Sequence, residues 1–142
     1  MYKKILVPLD NSHYDKAILN HIVDLTKLTK AHVVLIHVAE GYGARLQDDL
    51  NLKDSEEIQD DRAYLLRQKE RLSKEGLQVE AVLVKGEPAV QILNVAQKEK
   101  CDLIAMSTHG HRFFKDLILG SVADKIRHQT DIPILMIRGK AE

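Results

Sequence analysis

The feature that most constrains this chain is a set of short runs that are apolar on consecutive residues rather than on alternate ones. They are Lys4 to Leu9 (KILVPL), His32 to Val38 (HVVLIHV), Val79 to Val84 (VEAVLV), Leu103 to Met106 (LIAM) and Ile132 to Ile137 (IPILMI). A strand with one wet face alternates apolar and polar residues, whereas a strand covered on both faces does not. Five such runs predict a parallel sheet sandwiched between helices. Pro133, near the start of the last run, has no N–H to give to a ladder and places that strand at an edge.

The segments between the runs have helical period. After Asn11-Ser12, the residues Ile18, Ile22, Leu25 and Leu28 form one stripe, and Ser12 with Asp15 three residues on resembles a capping box. Ser55 to Gly76 reads as a second helix, with Ile58, Leu65, Leu66 and Leu72 inward and Gly76 as its stop. A third begins at Glu87-Pro88 and buries Ala89, Ile92, Leu93 and Ala96. A fourth is expected to start at Ser121, with Asp124 three residues on and Val122 and Ile126 inward. Alternating strands and helices with short connections predict a single α/β domain over 1–142 with right-handed crossovers. One connection, Ala39 to Asp54, is unusually long and is expected to be a lid, a binding element or a disordered segment.

Composition removes several function classes. The 142 residues carry 21 Lys+Arg and 21 Asp+Glu, so bulk attraction to nucleic acid is disfavoured. Aromatics make up 4% with no tryptophan, which disfavours stacking platforms for single strands. A lone cysteine, Cys101, excludes a disulfide framework and suits a reducing compartment. The opening MYKKILV is too short and too charged for a leader, and stretches such as Val33 to Ile36 cannot span a bilayer. The expectation is a cytoplasmic protein without membrane insertion.

Open α/β sheets bind ligands at the carboxyl ends of their strands, close to the point where strand order reverses. The first strand ends in Pro8-Leu9-Asp10-Asn11-Ser12, the second at His37-Val38, and the fourth at Met106-Ser107-Thr108-His109-Gly110. Two roles are open to Asp10: accepting from a ribose hydroxyl or holding a magnesium-bound phosphate, or tying down the amides of the next helix as an Asx turn. Gly120-Ser121 offers close backbone approach and a hydroxyl at an expected helix start, with Val122 adding an amide; the same pair also reads as an ordinary loop end and cap. His37, His109 and His111 are conceivable as a three-histidine metal site, but no carboxylate–histidine spacing supports it. Phe113-Phe114 is expected to bury its loop against the sheet. Arg112 and Lys115 beside it are read as facing phosphate or solvent. Neither a Gly-Lys-Ser/Thr loop nor Gly-x-Gly-x-x-Gly after the first strand occurs, which disfavours a Walker-type ATPase and dinucleotide oxidoreduction.

These residues, in this order, resemble the universal stress protein family. The resemblance runs through Tyr2 to Asp10 with Ser12, Leu35-Ile36-His37-Val38, Gly86-Glu87-Pro88-Ala89, Asp102 to Gly110, Leu119 to Ile126 and Ile132 to Met136. The family's ATP-binding branch carries Gly-x-x-Gly, nine residues, then Gly-Ser/Thr. Here Ser107-Thr108-His109-Gly110 is followed by nine residues, His111 to Leu119, and then Gly120-Ser121. Three of the four signature positions match, and Ser107 replaces the first glycine. A serine suits that position unless positive φ is required there.

The resemblance implies a Rossmann-like sheet of five parallel strands in the order 3-2-1-4-5. It implies an adenine nucleotide, ATP or ADP or AMP, with or without Mg²⁺. Adenine would lie near Pro8, Leu9 and Val38, and Asp10 would face the ribose or the metal–phosphate region. Met106, Ser107, His109 and Gly110 would line the ribose and α-phosphate, with His111, Arg112, Gly120, Ser121 and Val122 around the outer phosphates. It also implies a homodimer through the last strand, Ile134 to Ile137, an apolar edge that would otherwise pair without control. A stress-response regulator with an unidentified protein partner is the leading function. A slow ATPase, and a nucleotide-free interaction module in which Ser107 disables the site, are the alternatives.

The neutral charge is unevenly spread. Residues 40–61 hold eight acids against two bases, and residues 98–140 hold eight bases against five acids. The signature that would surround phosphate lies in the more basic half.

Overall fold

A computed structural model of the chain describes residues 1–39, 56–109 and 114–140, with the backbone alone at 109 and 114–120. In chain order the elements are β1 Lys4–Pro8, α1 Asp15–Thr29, β2 His32–Ala39, α2 Glu56–Lys74, β3 Val79–Lys85, α3 Pro88–Lys98, β4 Leu103–His109, α4 Phe114–Gln129 and β5 Ile134–Gly139. The five strands form one parallel sheet in the order β3-β2-β1-β4-β5. The doubly apolar runs are thus the strands, and β5 is an edge strand as Pro133 requires.

Alternate side chains of each strand feed two cores. Ile5, Val7 and Leu9 of β1 and its exit, Val33 and Leu35 of β2, and Leu103 and Ala105 of β4 pack with Ile18, Leu19 and Ile22 of α1 and Leu65 and Leu72 of α2. Leu6, Val34, Ile36, Ile104 and Met106 pack on the other face with Ala89, Ile92 and Ala96 of α3 and Val122 and Ile126 of α4. Each fully buried aliphatic side chain here contributes about 1.5–3 kcal/mol, so the two faces together supply the bulk of the driving force. Cys101 packs in the α3/α4 core, as expected of a residue at the amino end of β4.

Three helix expectations are corrected. Leu28 is 84% exposed and Leu66 is 54% exposed. At 100° per residue the stripe through Ile18 and Ile22 passes Thr26 rather than Leu28. Thr26 is buried, its hydroxyl donating to the carbonyl of Ile22 at 2.7 Å. On α2 the inward positions are Ile58, Asp61, Leu65 and Leu72, and Leu66 lies one step off that line. The third correction concerns α4, which begins at Phe114 and not at Ser121. The run Phe114 to Leu119 is made mostly of residues that tolerate or favour helix, so Gly120 and Ser121 lie inside the helix. In a helix beginning at 114, the amides of Ser121 and Val122 are intrahelical and the open donors belong to the first turn.

Two other expected boundaries shift less. Gly76 ends α2 with φ +90°, the left-handed conformation glycine adopts freely. Glu87 caps α3, its carboxylate accepting from the amides of Ala89 and Val90, with Pro88 in the first turn. Most of the long connection, residues 40–55, lies outside the described residues.

Candidate functional site

The strand order places the reversal point between β1 and β4. β1 follows β2 from Lys4↔His32 to Pro8↔Ile36, and the amide of Leu9 extends that ladder to the carbonyl of Ile36 at 2.8 Å. Its register with β4 covers Ile5↔Leu103 and Leu6↔Ile104. Pro8 has no N–H to give. The ladder between the two strands therefore ends before their carboxyl ends, and the crevice expected at such a reversal point is flanked by Pro8, Leu9 and Asp10 on one side and Met106, Ser107 and His109 on the other. Val38 is the penultimate residue of β2, on the far side of β1.

Alternation along the strands sets which way these residues face. Leu9 belongs to the α1/α2 core and Met106 to the α3/α4 core, and Val38 packs against the latter. Val122 is buried there as well, whereas Ser121 is exposed. Gly110, His111 and Arg112 lie outside the described residues, as does Phe113. For His109 and Gly120 only the backbone is described.

Ser107 stands within β4, in register with Ile137 of β5. Among the described residues, positive φ outside glycine occurs at Asn11, Lys30 and Lys100, not at Ser107. The serine Cβ is therefore accommodated without strain where the family signature has glycine. Its side chain is buried, and Oγ has no hydrogen-bond partner among the described residues. An orphaned buried hydroxyl costs about 1–3 kcal/mol, so this position carries polar capacity that the core around it does not use.

The turn after β1 is organised by an acid other than the one expected. The Asp15 carboxylate accepts from the amides of Asp10 (3.2 Å), Asn11 (3.0 Å) and Ser12 (3.4 Å), and from the Tyr64 hydroxyl of α2 (2.7 Å). Asp15 is 1% exposed. Burial first, and then the charge of Asp10, push its carboxyl up to about 7 against the donors that favour the anion. The anticipated capping box is present in half: Asp15 reaches back to Ser12, but the Ser12 hydroxyl bonds the Tyr14 amide at 3.2 Å. Asp15 thus ties down amides that the Asx-turn role for Asp10 would have engaged. Asp10 Oδ1 accepts from the Ser12 hydroxyl at 2.6 Å, and the Asp10 side chain is half-buried at the mouth of the crevice.

A second pair of groups was missed by sequence reasoning. His37 and Asp61 are both buried and lie with Nε2 and Oδ2 3.0 Å apart. His37 Nδ1 lies 2.8 Å from the Leu9 carbonyl oxygen, and Asp61 Oδ1 accepts from Asn11 Nδ2 at 2.8 Å. Both ring nitrogens of His37 are thus engaged, which removes it from a three-histidine metal set. The signal for Asp61 was available: it falls at i+3 between Ile58 and Leu65 on the apolar stripe, the position of a buried residue and not of a solvated acid.

Residues 1–138 match the model of the universal stress protein family. Universal stress protein MJ0577 of Methanocaldococcus jannaschii is 29% identical, with 99% of this chain and 97% of that protein covered. The solved structure of MJ0577 superposes with a TM-score of 0.79 at 27% identity, covering 100% of this chain and 99% of that one. The fold is shared with a universal stress protein of Archaeoglobus fulgidus solved in complex with dAMP (TM-score 0.71, 21% identity, 96% and 98% covered). A universal stress protein in complex with cAMP has the same fold (TM-score 0.69, 17% identity, 96% and 96% covered). On the match of its family model across nearly the whole sequence, this chain belongs to the universal stress protein family.

Proposed function

We propose that this chain binds an adenine nucleotide in the crevice between β1 and β4 and acts as a nucleotide-dependent stress regulator, as a cytoplasmic homodimer. The end of the β1–β4 ladder at Leu6 and Ile104 carries the reading, because it falls at the reversal point of a parallel sheet, where open α/β sheets take their ligands. Ser107 held in an extended strand supports it, since the one departure from the ATP-binding signature introduces no backbone conflict. Relatives of this fold solved with dAMP and cAMP support an adenine nucleotide as the ligand class. ATP is favoured by the retained Gly110, Gly120 and Ser121 spacing, which provides for phosphates beyond the first.

In this reading adenine rests against Pro8, Leu9 and Val38, and Asp10 accepts from the ribose or sits beside a phosphate-bound magnesium ion. The Ser107 hydroxyl, without a partner among the described residues, donates to the ribose–phosphate link. His109, Gly110, His111, Arg112, Gly120, Ser121 and Val122 surround the phosphates. Because α4 encloses Gly120 to Val122 in the structure, those amides reach a phosphate only if the first turns of α4 open when ligand arrives. The dimer forms through β5, whose outer edge pairs with no other strand among the described residues and carries the 47% exposed Met136.

The test is thermal unfolding with and without ATP. A ligand that binds only the folded state adds about 2.7 kcal/mol at one hundred times its Kd, which raises the midpoint by several degrees. An unchanged midpoint at millimolar ATP refutes the reading and leaves the nucleotide-free interaction module.

A further inference from the structure

We propose that Asp61 and His37 are positioning residues for the nucleotide pocket, forming a clamp by which α2 holds the backbone on both sides of Asp10. The inference rests on the adenine-nucleotide reading above and identifies the residues that would tune it.

The geometry has two arms that meet at Asp61. One arm runs from Asp61 Oδ2 to His37 Nε2 and from His37 Nδ1 to the Leu9 carbonyl, with separations of 3.0 and 2.8 Å. A carbonyl oxygen can only accept, so Nδ1 carries a proton. The 3.0 Å contact on the other nitrogen is then bonded only if one further proton lies between Nε2 and Oδ2, as imidazolium to carboxylate or as carboxylic acid to imidazole. The second arm runs directly from Asp61 Oδ1 to Asn11 Nδ2 at 2.8 Å. Asn11 has φ +62°, a left-handed conformation that asparagine tolerates better than most residues. Leu9 and Asn11 are the neighbours of Asp10, so a single side chain on α2 fixes the chain before and after the carboxylate that would meet the nucleotide.

Three features distinguish this from ordinary packing. Asp61 and His37 are 10% and 11% exposed in their side chains, so water competes little with either contact. The bonds join four separate parts of the chain, β1's exit, β2, the turn into α1, and α2. Finally, α2 is the element that follows the acidic residues 40–55, so a movement of that helix would be transmitted to the pocket through Asp61. Through Asn11 the pair is linked to Asp15 of α1, and through Asp15 to Tyr64 of α2. From β3 the residue in register with His37 is the uncharged Leu83.

The test uses the full chain, ATP as the probe, and two substitutions. Asp61→Ala removes both arms. Asp61→Asn keeps both: its amide nitrogen donates to a neutral His37 Nε2 while its oxygen still accepts from Asn11. Calorimetric titration should give an ATP Kd weakened about ten-fold in Asp61→Ala and changed less than about three-fold in Asp61→Asn. In nucleotide-free protein, the slowly exchanging His37 Nδ1–H resonance should be present in wild type and Asp61→Asn and lost in Asp61→Ala. Unchanged ATP affinity in Asp61→Ala overturns the proposal, as does equal loss in both variants or retention of the resonance in Asp61→Ala. A wild-type chain that binds no ATP is a different result: it overturns the proposed function and takes this proposal with it.

Discussion

Tyr64→Phe is a narrow perturbation because it removes one oxygen and leaves the ring in place. The Tyr64 hydroxyl donates to Asp15 Oδ2 at 2.7 Å, joining α2 to the head of α1. Asp15 keeps its three backbone donors from Asp10, Asn11 and Ser12. At pH 8, where Asp15 is mostly ionised, a hydrogen bond to a charged acceptor contributes about 1.5–3 kcal/mol, and the half-buried position of Tyr64 sets the expected loss near the middle, about 2 kcal/mol. Unfolding entropy of about 2.1 cal/mol/K per residue over this chain converts that loss to a fall in midpoint of about 7 °C. Urea unfolding followed by circular dichroism measures it, with an unchanged m-value showing that the denatured state is unaltered. In an Asp15→Ala background the same change should cost less than about 0.5 kcal/mol, since the acceptor has gone. Backbone amides of Asp10, Asn11 and Ser12 should exchange faster in Tyr64→Phe. A loss below about 0.5 kcal/mol in the otherwise native chain refutes the argument that this bond organises the turn.

Other consequences are independent of that bond. Asp15, with its carboxyl pushed up to about 7, retains a proton in the folded chain over a range where the unfolded chain has lost it. Stability contributed by this group is therefore full below the ordinary carboxylate range near 4 and declines as pH rises toward 7. Subtracting the melting curves of Asp15→Asn from wild type between pH 4 and 8 should isolate that slope, and a flat difference contradicts it. Burial pushes the Cys101 thiol up to about 11, so it should resist alkylation at pH 8 until the protein unfolds. Rapid labelling of native protein would contradict the packing described. Met136→Lys places a charge on the exposed β5 edge and should convert a dimer to monomer in sedimentation with little change in monomer stability. An unchanged oligomer would place the interface elsewhere.

The sheet was legible because burial on both faces writes itself as consecutive apolar residues. Runs such as Ile5 to Val7 and Val33 to Ile36 have no other economical reading. The helices were legible only to the extent that their inward residues are apolar. Leu28 and Leu66 were misread because periodicity counts every leucine as inward, while Thr26 and Asp61 occupy the inward positions and satisfy their polar atoms internally. The start of α4 was misplaced because Gly120-Ser121 looks like a helix boundary, yet the preceding residues are themselves compatible with helix. At the site, the strand order makes β1 and β4 neighbours, as their place in the sequence pattern implied. The burial of Asp61 could be read from its place on the apolar stripe of α2, but its pairing with His37 could not, because the two residues are far apart in sequence.

The central claim is that an adenine nucleotide occupies the crevice between β1 and β4, and native mass spectrometry of gently purified protein tests it most directly. The account predicts chains of 16.1 kDa each carrying one adenine nucleotide, either retained from the cell or acquired on addition of millimolar ATP. The added mass should be lost in Gly120→Val. Bare chains under both conditions would contradict it.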